Sequence, residues 1–271
     1  MKKFLSFLAV ILLALAVVFV VPRAVNLASR VVNTFRNEAV DSVAPEHYYI
    51  PNGVTRITKR QFANKDYLKV ITIPSSVEVI EESAFEGCDN LTTVLFAEGS
   101  KLRVIEAKAF TQCHSLEGIN LPEGLVEIGW RAFFDCESIE KLSIPSSVTK
   151  IHDDMYRENP NLAHAEYGNA YYLGNDENPY LMLVKVIDDT TSSVTVHKDT
   201  KFIYYEAFFG CHDLETINIP EDVIAIGGNA FYHCASLTSI VFGGSAEQWT
   251  DVEKGSSWDY DTGNYTVTYK K

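Results

Sequence analysis

An aromatic residue returns along this chain at a nearly constant interval. It occurs at Phe62, Phe85, Phe110, Phe133, Tyr156, Phe208 and Phe231. Four of the six spacings are 23 residues, one is 25, and one is 52, which equals one unit plus a 29-residue insertion. A fixed period of this length is the signature of a repeat architecture, so it restricts the fold before any other feature is considered.

The clearest unit is "PSSVEVIEESAFEGCDNLTTVLF", from Pro74 to Phe96. Its last residues alternate between apolar and polar, as in a strand with one buried face. The proline cannot donate to a sheet ladder and therefore indicates the end of a strand. One unit cannot bury so many apolar positions by itself, but stacked copies can. The sequence therefore predicts a right-handed solenoid whose successive strands form a parallel sheet.

The pattern P-x-x-V-x-x-I-x-x-x-A-F-x-x-C-x-x-L-x-x-I-x-I resembles the BspA-type (Treponema-type) leucine-rich repeat family. The resemblance covers residues 51–167 and 197–242. It implies an α/β leucine-rich-repeat solenoid of about seven 23-residue repeats with one β-hairpin insertion. It also implies a bacterial surface protein that acts in adhesion and recognition, without naming a partner.

The composition shifts along the chain suggest six segments. These are a signal anchor or signal peptide (1–21), a juxtamembrane or N-terminal cap segment (22–49), repeats 1–5 (50–167), a β-hairpin insertion (168–195), repeats 6–7 (196–242) and a C-terminal cap (243–271). Within the last segment, Ser245 is expected to cap a short helix through Val252. Trp249 and Trp258 are expected to cover the end of the core.

The first residues, "MKKFLSFLAVILLALAVVFVV", indicate export. The apolar run is just long enough to span a bilayer, so both an uncleaved anchor and a cleaved signal peptide are open, and both place the body outside the cytoplasm. The net charge of the chain is −13, and residues 1–40 carry +4, from five basic residues and one acidic residue, so the body carries −17. Nucleic acid is therefore not an expected partner. A membrane contact is expected only through the N-terminal hydrophobic segment, and the oligomeric state is open.

Five cysteines each follow an aromatic anchor by three residues: Cys88, Cys113, Cys136, Cys211 and Cys234. Cysteine tolerates full burial, so a column of buried free thiols is the favoured interpretation. Disulfides between stacked neighbours are an alternative that export permits, although the odd number leaves at least one thiol unpaired. A metal site is not expected, since no C-x-x-C pair is present.

The outward positions of the strands form the candidate binding surface, because this face is commonly the contact surface in leucine-rich repeat proteins. The insertion adds tyrosines, which make good contact residues. The candidate residues are Thr72, Thr93, Asn120, Lys141, His164, Glu166, Tyr171, Tyr172, Tyr180 and Asn218. The alternative interpretations are a solvated sheet face and a purely structural insertion.

The familiar catalytic, zinc-binding and nucleotide-binding motifs do not occur in the sequence. We therefore expect no catalytic residue, no metal site and no cofactor. The leading hypothesis is an exported, non-catalytic surface module that binds an extracellular protein or glycan. The alternatives are a structural spacer or envelope component without a specific ligand and, less favoured, a polysaccharide hydrolase.

Overall fold

The computed structural model describes residues 46–271. The predicted export segment, and most of the predicted segment 22–49, lie outside the described residues. None of the helices in residues 46–271 has the length and apolarity that a bilayer-spanning segment requires.

The described chain is a parallel β-solenoid of about ten turns. The coils are numbered here by their aromatic anchors, from coil 1 with Phe62 to coil 5 with Tyr156, coil 6 with Phe208 and coil 7 with Phe231. Apart from coil 5, each of these coils contributes one longer strand to one side of the solenoid and one two-residue strand to another side. The predicted solenoid with parallel strands is confirmed.

The longer strands form two parallel sheets. The first has the order β1-β3-β5-β7-β9, and the second has the order β14-β16-β18-β20. Their bounds are β1 His47–Tyr49, β3 Val70–Ile73, β5 Thr93–Phe96, β7 Gly118–Asn120, β9 Lys141–Ser143, β14 Ser193–Thr195, β16 Thr216–Ile219, β18 Ser239–Phe242 and β20 Thr266–Tyr269.

The two-residue strands form the other two sheets. One has the order β10-β8-β6-β4-β2, and the other has the order β11-β12-β13-β15-β17-β19 and includes the insertion. Their bounds are β2 Arg56–Ile57, β4 Val79–Ile80, β6 Val104–Ile105, β8 Glu127–Ile128, β10 Lys150–Ile151, β11 Ala165–Tyr167, β12 Ala170–Leu173, β13 Met182–Val186, β15 Phe202–Ile203, β17 Ala225–Ile226 and β19 Glu253–Lys254.

The aromatic anchors form a column inside the solenoid. Phe62, Phe85, Phe110 and Phe133 stack with ring centroids 5.0 to 5.4 Å apart and interplanar angles of 3° to 5°. Phe85, Phe110 and Phe133 are fully buried. The repeated spacing in the sequence therefore places equivalent side chains over one another, and each buried ring contributes roughly 1.5–3 kcal/mol of hydrophobic stabilisation.

The bends around these aromatics are held by a set of backbone hydrogen bonds that we call the turn ladder. In coil 2, the N–H groups of Ser83, Phe85 and Gly87 donate to carbonyls of coil 3 at 2.8 to 3.0 Å. Ser83 and Gly87, two residues before and after the aromatic, have positive φ. Both flanking positions have positive φ in every coil, and most are not glycine. The bend is therefore made by paired left-handed residues rather than by a helix.

This geometry corrects the predicted α/β class and the count of seven repeats. Within residues 46–271 the one helix is α1, Ala246–Asp251, with Ser245 as its N-cap as predicted. A strand also precedes the first predicted repeat, since β1 pairs in parallel with β3. An eighth coil closes the other end, because β19 and β20 pair in parallel with β17 and β18. Trp249 and Trp258 pack there with ring centroids 6.1 Å apart.

The insertion contains an antiparallel pair, β12 and β13, and β11 joins it as a third antiparallel strand. β13 then pairs in parallel with β15, so the insertion continues the sheet of two-residue strands. Leu173 and Met182 belong to one buried cluster with coils 1–5, while Tyr172 and Leu183 belong to a second cluster with coils 6 and 7. The inserted strands therefore pack against both clusters.

Candidate binding surface

The outward side chains of the first sheet form rows across its strands. One complete row runs His47, Val70, Thr93, Gly118 and Lys141, each in register with the next. A second row runs Tyr49, Thr72 and Leu95, and Asn120 and Ser143 pair further along. We call these ten residues the outward strand face. Neighbouring parallel strands lie about 4.8 Å apart, so the side chains form a closely spaced grid.

Two large apolar side chains are exposed on this grid. Tyr49 is 65% exposed and Leu95 is 45% exposed, and they flank the half-buried Thr72. The imidazole of His47 stacks on Tyr49 at 4.1 Å, and its Nε2 lies 3.0 Å from Thr72 Oγ1. The pairing holds Tyr49 at one edge of the face. Exposed aromatic and aliphatic groups beside small polar ones are typical of contact surfaces.

A shallow groove borders the starts of these strands. Its volume is about 640 Å³, and its lining residues are Thr92, Ser115, Glu117, Ser138, Glu140 and Asn161. The two carboxylates come from equivalent positions in successive coils. The groove therefore offers hydroxyl and carboxylate groups at a regular spacing.

Lys141 lies at the opposite edge of the face, where the insertion reaches it. Its Nζ donates to Asp176 Oδ1 at 2.8 Å, and Asn175 Nδ2 donates to the carbonyl of Ile144 at 2.8 Å. The turn of the insertion thus borders the outward strand face. Lys141 is therefore a partner of the insertion as well as a surface residue.

Asn218, the remaining predicted strand residue, belongs to the second sheet. It is in register with Thr195 and Val241, and its Nδ2 donates to Thr195 Oγ1 at 3.3 Å. The candidates Thr72, Thr93, Asn120 and Lys141 are therefore together on one sheet, whereas Asn218 is on another.

The structure corrects two groups of predicted site residues. Tyr172 is fully buried in the second cluster, where its hydroxyl accepts a hydrogen bond from the N–H of His197 at 3.2 Å, so it is not a surface contact. Tyr171 and Tyr180 are only half-buried, and Tyr180 stacks on His197 at 3.9 Å.

His164 and Glu166 also lie elsewhere than predicted, because β11 turns away to pair with β12 instead of extending the first sheet. His164 lies between Tyr156 and Tyr171, with ring centroids 6.3 and 5.7 Å away. Burial lowers the pKa of His164. Glu166 remains exposed, on the sheet that contains the insertion.

Sequence reasoning missed Tyr49 and His47, although a signal for them was present. The residues before Pro51, "YYI", correspond to "ITI" before Pro74. Each unit is counted from its proline, so the strand before Pro51 falls within the predicted cap segment 22–49.

The five cysteines are free and buried, which confirms the predicted thiol column. The Sγ of Cys88, Cys136 and Cys234 donates to the carbonyl of the aromatic one coil earlier, at 3.0 to 3.1 Å. Coil 5 has Asn159 at this position, and its Nδ2 donates to the Phe133 carbonyl at 2.9 Å. The position therefore requires a compact donor, which explains the recurrence of cysteine.

One cluster of partly exposed side chains has ligand atoms close enough together to hold a cation. The ligand atoms of His114, Asp135 and Glu137 lie within 4.8 Å of one another. His114 Nδ1 is also 2.8 Å from Asp89 Oδ1. Partial burial lowers the pKa of His114, but the hydrogen bond and charge of Asp89 outweigh it and raise the pKa overall. His114 thus lies between two carboxylates, with its Nε2 3.6 Å from Asp135 Oδ2 on the other side.

The chain matches the family model of the BspA type leucine rich repeat region, in six copies over residues 33–165 and 188–252. No curated protein is similar enough to match it. Among solved structures it is similar to the pneumococcal vaccine antigen PcpA, at 18% identity over 86% of this chain and 80% of that one, with a TM-score of 0.46.

Two further structures show comparable similarity. A leucine-rich repeat protein of T. pallidum has 22% identity over 78% of this chain and 73% of that one, with a TM-score of 0.42. A leucine-rich repeat protein of Eubacterium ventriosum has 19% identity over 83% of this chain and 66% of that one, with a TM-score of 0.45.

Proposed function

Since the chain belongs to the BspA-type leucine-rich repeat family, we propose that it is an exported surface protein that binds an extracellular protein or glycan without catalysis. Export is supported by the apolar run that begins at Phe4. A binding role is supported by the family, whose repeats present the same positions over a broad surface.

The observation that carries this proposal is the pair of exposed apolar side chains, Tyr49 and Leu95, on the outward strand face. In the free protein these two side chains remain in contact with water, and each therefore offers apolar area that a partner can bury. Roughly 25 cal/mol is gained per Å² of apolar surface removed from water. The polar grid around them, with Thr72, Thr93 and Asn120, supplies hydrogen-bonding groups that fix orientation.

Within this proposal the insertion has a supporting role. Its apolar residues pack into both buried clusters, and its turn holds Lys141 through Asp176. Tyr167, which is 42% exposed, is the insertion-side aromatic that remains available to a partner.

The experiment is a screen of the full chain against glycan and extracellular-protein arrays, followed by affinity measurements on the hits. The double variant Tyr49→Ala/Leu95→Ala should weaken binding by about tenfold or more, which corresponds to about 1.4 kcal/mol. The matched control is Ile224→Ala/Tyr260→Ala, which removes one aromatic and one aliphatic group exposed elsewhere.

Equal weakening by both double variants would contradict a site on the outward strand face. A chain that folds but binds no member of either array would fit the structural spacer instead.

A further inference from the structure

The turn ladder is complete from coil 1 to coil 4 and again from coil 6 onward, partial between coils 4 and 5, and missing at the junction of coils 5 and 6. The N–H groups of Glu206, Phe208 and Gly210 in coil 6 donate to coil 7 at 2.8 to 3.1 Å, and coils 1 to 3 make the same three bonds to the next coil. Between coils 4 and 5 two of the three bonds remain, from Phe133 and Asp135. Between coils 5 and 6 no backbone bond of this set occurs in the described chain.

Two other hydrogen bonds take the place of the missing backbone bond at the centre of this junction. The N–H of Tyr156, which would continue the ladder, donates instead to the hydroxyl of Tyr204 at 3.1 Å. The carbonyl of Ala207 in coil 6 accepts from Val186 in β13 at 3.0 Å. To either side, the N–H groups of Asp154 and Glu158 and the carbonyls of Tyr205 and Phe209 have no hydrogen-bond partner in residues 46–271.

These open groups border a cleft of about 1090 Å³, which we call the junction cleft. Its walls are the bends of coils 4 and 5 on one side, and β13 with the coil 6 bend on the other. None of its lining residues belongs to the outward strand face. The junction cleft is thus a separate surface, and it is larger than the groove beside that face.

The lining is acidic, with six carboxylates against two basic side chains, Arg157 and Lys185. Asp154 and Glu206 are already paired with arginines, at 2.7 Å from Arg131 and 3.1 Å from Arg157. Asp154 is buried, with 6% of its surface exposed. Its Oδ1 accepts no hydrogen bond, although Arg157 Nε lies 2.9 Å away. The remaining acidic excess favours a cationic occupant.

The aromatic groups of the same surface also favour an arginine. Arg131 lies over the ring of Phe134 at 4.5 Å, and Arg157 lies over Tyr205 at 5.4 Å. Phe209, another ring in the lining, is 51% exposed; one face stacks on Tyr232 with ring centroids 5.5 Å apart, and no arginine or lysine of the described residues lies over it. An arginine of a partner would make the contact at Phe209 that the chain makes for itself at the other two rings.

We propose that the junction cleft binds an extended segment of another protein that carries arginine or lysine. An extended backbone presents carbonyls to the N–H groups of Asp154 and Glu158 and N–H groups to the carbonyls of Tyr205 and Phe209. Its cationic side chains meet the carboxylates of Glu137 and Asp189 and the ring of Phe209. This site does not depend on binding at the outward strand face.

The probe is a fluorescein-labelled nonapeptide of alternating arginine and valine, titrated into the full chain in neutral detergent and followed by fluorescence anisotropy. Saturable binding is expected, and the matched peptide with glutamate in place of arginine should not bind. The variant Glu137→Gln/Asp189→Asn should weaken binding by about tenfold or more, and Phe209→Ala should weaken it as well.

The charge-matched control is Glu98→Gln/Asp222→Asn, which removes two exposed carboxylates that make no ion pair in the described chain. It should change the affinity by less than about twofold, and so should Tyr49→Ala/Leu95→Ala. Hydrogen exchange at the amides of Asp154 and Glu158 should slow when the arginine peptide is bound.

The proposal is overturned if the arginine peptide does not bind, or if the two charge-reduced variants weaken its binding equally. It is also overturned if the amides of Asp154 and Glu158 exchange at the same rate with and without peptide. Loss of partner binding in Tyr49→Ala/Leu95→Ala, with peptide binding retained, separates the two sites.

Discussion

The hydroxyl of Tyr204 contacts both backbone polar groups of Tyr156. It accepts a hydrogen bond from the Tyr156 N–H at 3.1 Å and donates one to the Tyr156 carbonyl at 3.1 Å. The two rings also stack, with centroids 5.1 Å apart. In coils 1 to 3 and in coil 6, the next coil supplies both an aromatic ring that stacks on the anchor and a carbonyl that accepts from its N–H. At the junction of coils 5 and 6 the side chain of Tyr204 takes both roles.

Replacing Tyr204 by phenylalanine should be destabilising, because the ring stays while two buried backbone groups of Tyr156 lose their partner. A buried unsatisfied group costs about 1–3 kcal/mol, so we expect a loss of about 2–4 kcal/mol in the free energy of unfolding, measured by urea denaturation. Tyr205→Phe is the control, since Tyr205 is only half-buried, and it should cost less than about 1 kcal/mol. Equal losses in the two variants would refute the bridging role of Tyr204.

Asn159→Ala should also be destabilising, because it removes two hydrogen bonds at once. Asn159 Nδ2 donates to the Phe133 carbonyl at 2.9 Å, and its Oδ1 accepts from the Cys136 N–H at 2.8 Å. We expect a loss of about 2–3 kcal/mol, against less than about 1 kcal/mol for Asn161→Ala, whose side chain is exposed.

Asn159→Cys should fall between wild type and Asn159→Ala. A thiol at this position can donate to the Phe133 carbonyl, as Cys136 does to Phe110, but it cannot replace the acceptor for the Cys136 N–H. A cysteine variant as unstable as the alanine variant would show that the Sγ contacts contribute nothing.

The thiols should resist alkylation in the folded protein. Burial raises the pKa of Cys88 and Cys211 to about 11 and that of Cys136 and Cys234 to about 12, and it raises that of Cys113 as well. The thiolate is the reactive form, so both protonation and burial suppress the reaction. Iodoacetamide at pH 8 should leave all five unlabelled by mass spectrometry, and urea should expose all five. Rapid labelling of Cys136 in the native state would contradict this packing.

Stability should depend on pH through Glu127. The hydrogen bond from His152 lowers the pKa of Glu127, burial opposes this, and Lys150 adds to the lowering. A folded-state pKa below the unfolded one means stabilisation that is present above the unfolded value of 4.5 and lost as pH falls through the folded value. Glu127→Gln should therefore cost up to about 1 kcal/mol at pH 7 and nothing near pH 3, measured by thermal unfolding at both pH values. A constant difference between the two pH values would exclude this linkage.

The solenoid could be predicted from the sequence because its determinant is periodic. Phe85, Phe110 and Phe133 recur with the apolar residues of their units, and stacking is the arrangement that buries all of them together. The two ends were harder to predict, since β1 precedes Pro51, the proline of the first repeat, and the closing coil has Trp258 near the position of the aromatic anchor. Each end keeps the pairing of the repeats but loses part of their sequence pattern.

The junction could not be predicted, because its geometry comes from departures from the repeat. Tyr204 precedes the aromatic anchor of its own coil by four residues, and nothing local to it indicates a contact with Tyr156, 48 residues earlier. The burial of Tyr172 was missed for a related reason. A tyrosine in a polar, turn-rich insertion suggests exposure, but β12 turns it into the second cluster.

The separation of the buried side chains into two clusters bears on how the protein melts. Backbone hydrogen bonds between adjacent coils transmit cooperativity along a repeat array. At coils 5 and 6 that transmission passes through Tyr204, Val186 and the packing of β12 and β13. We therefore expect the coils before this junction and the coils after it to unfold separately once these contacts are removed. The protein should show a single melting transition only while the contacts between coils 5 and 6 are intact.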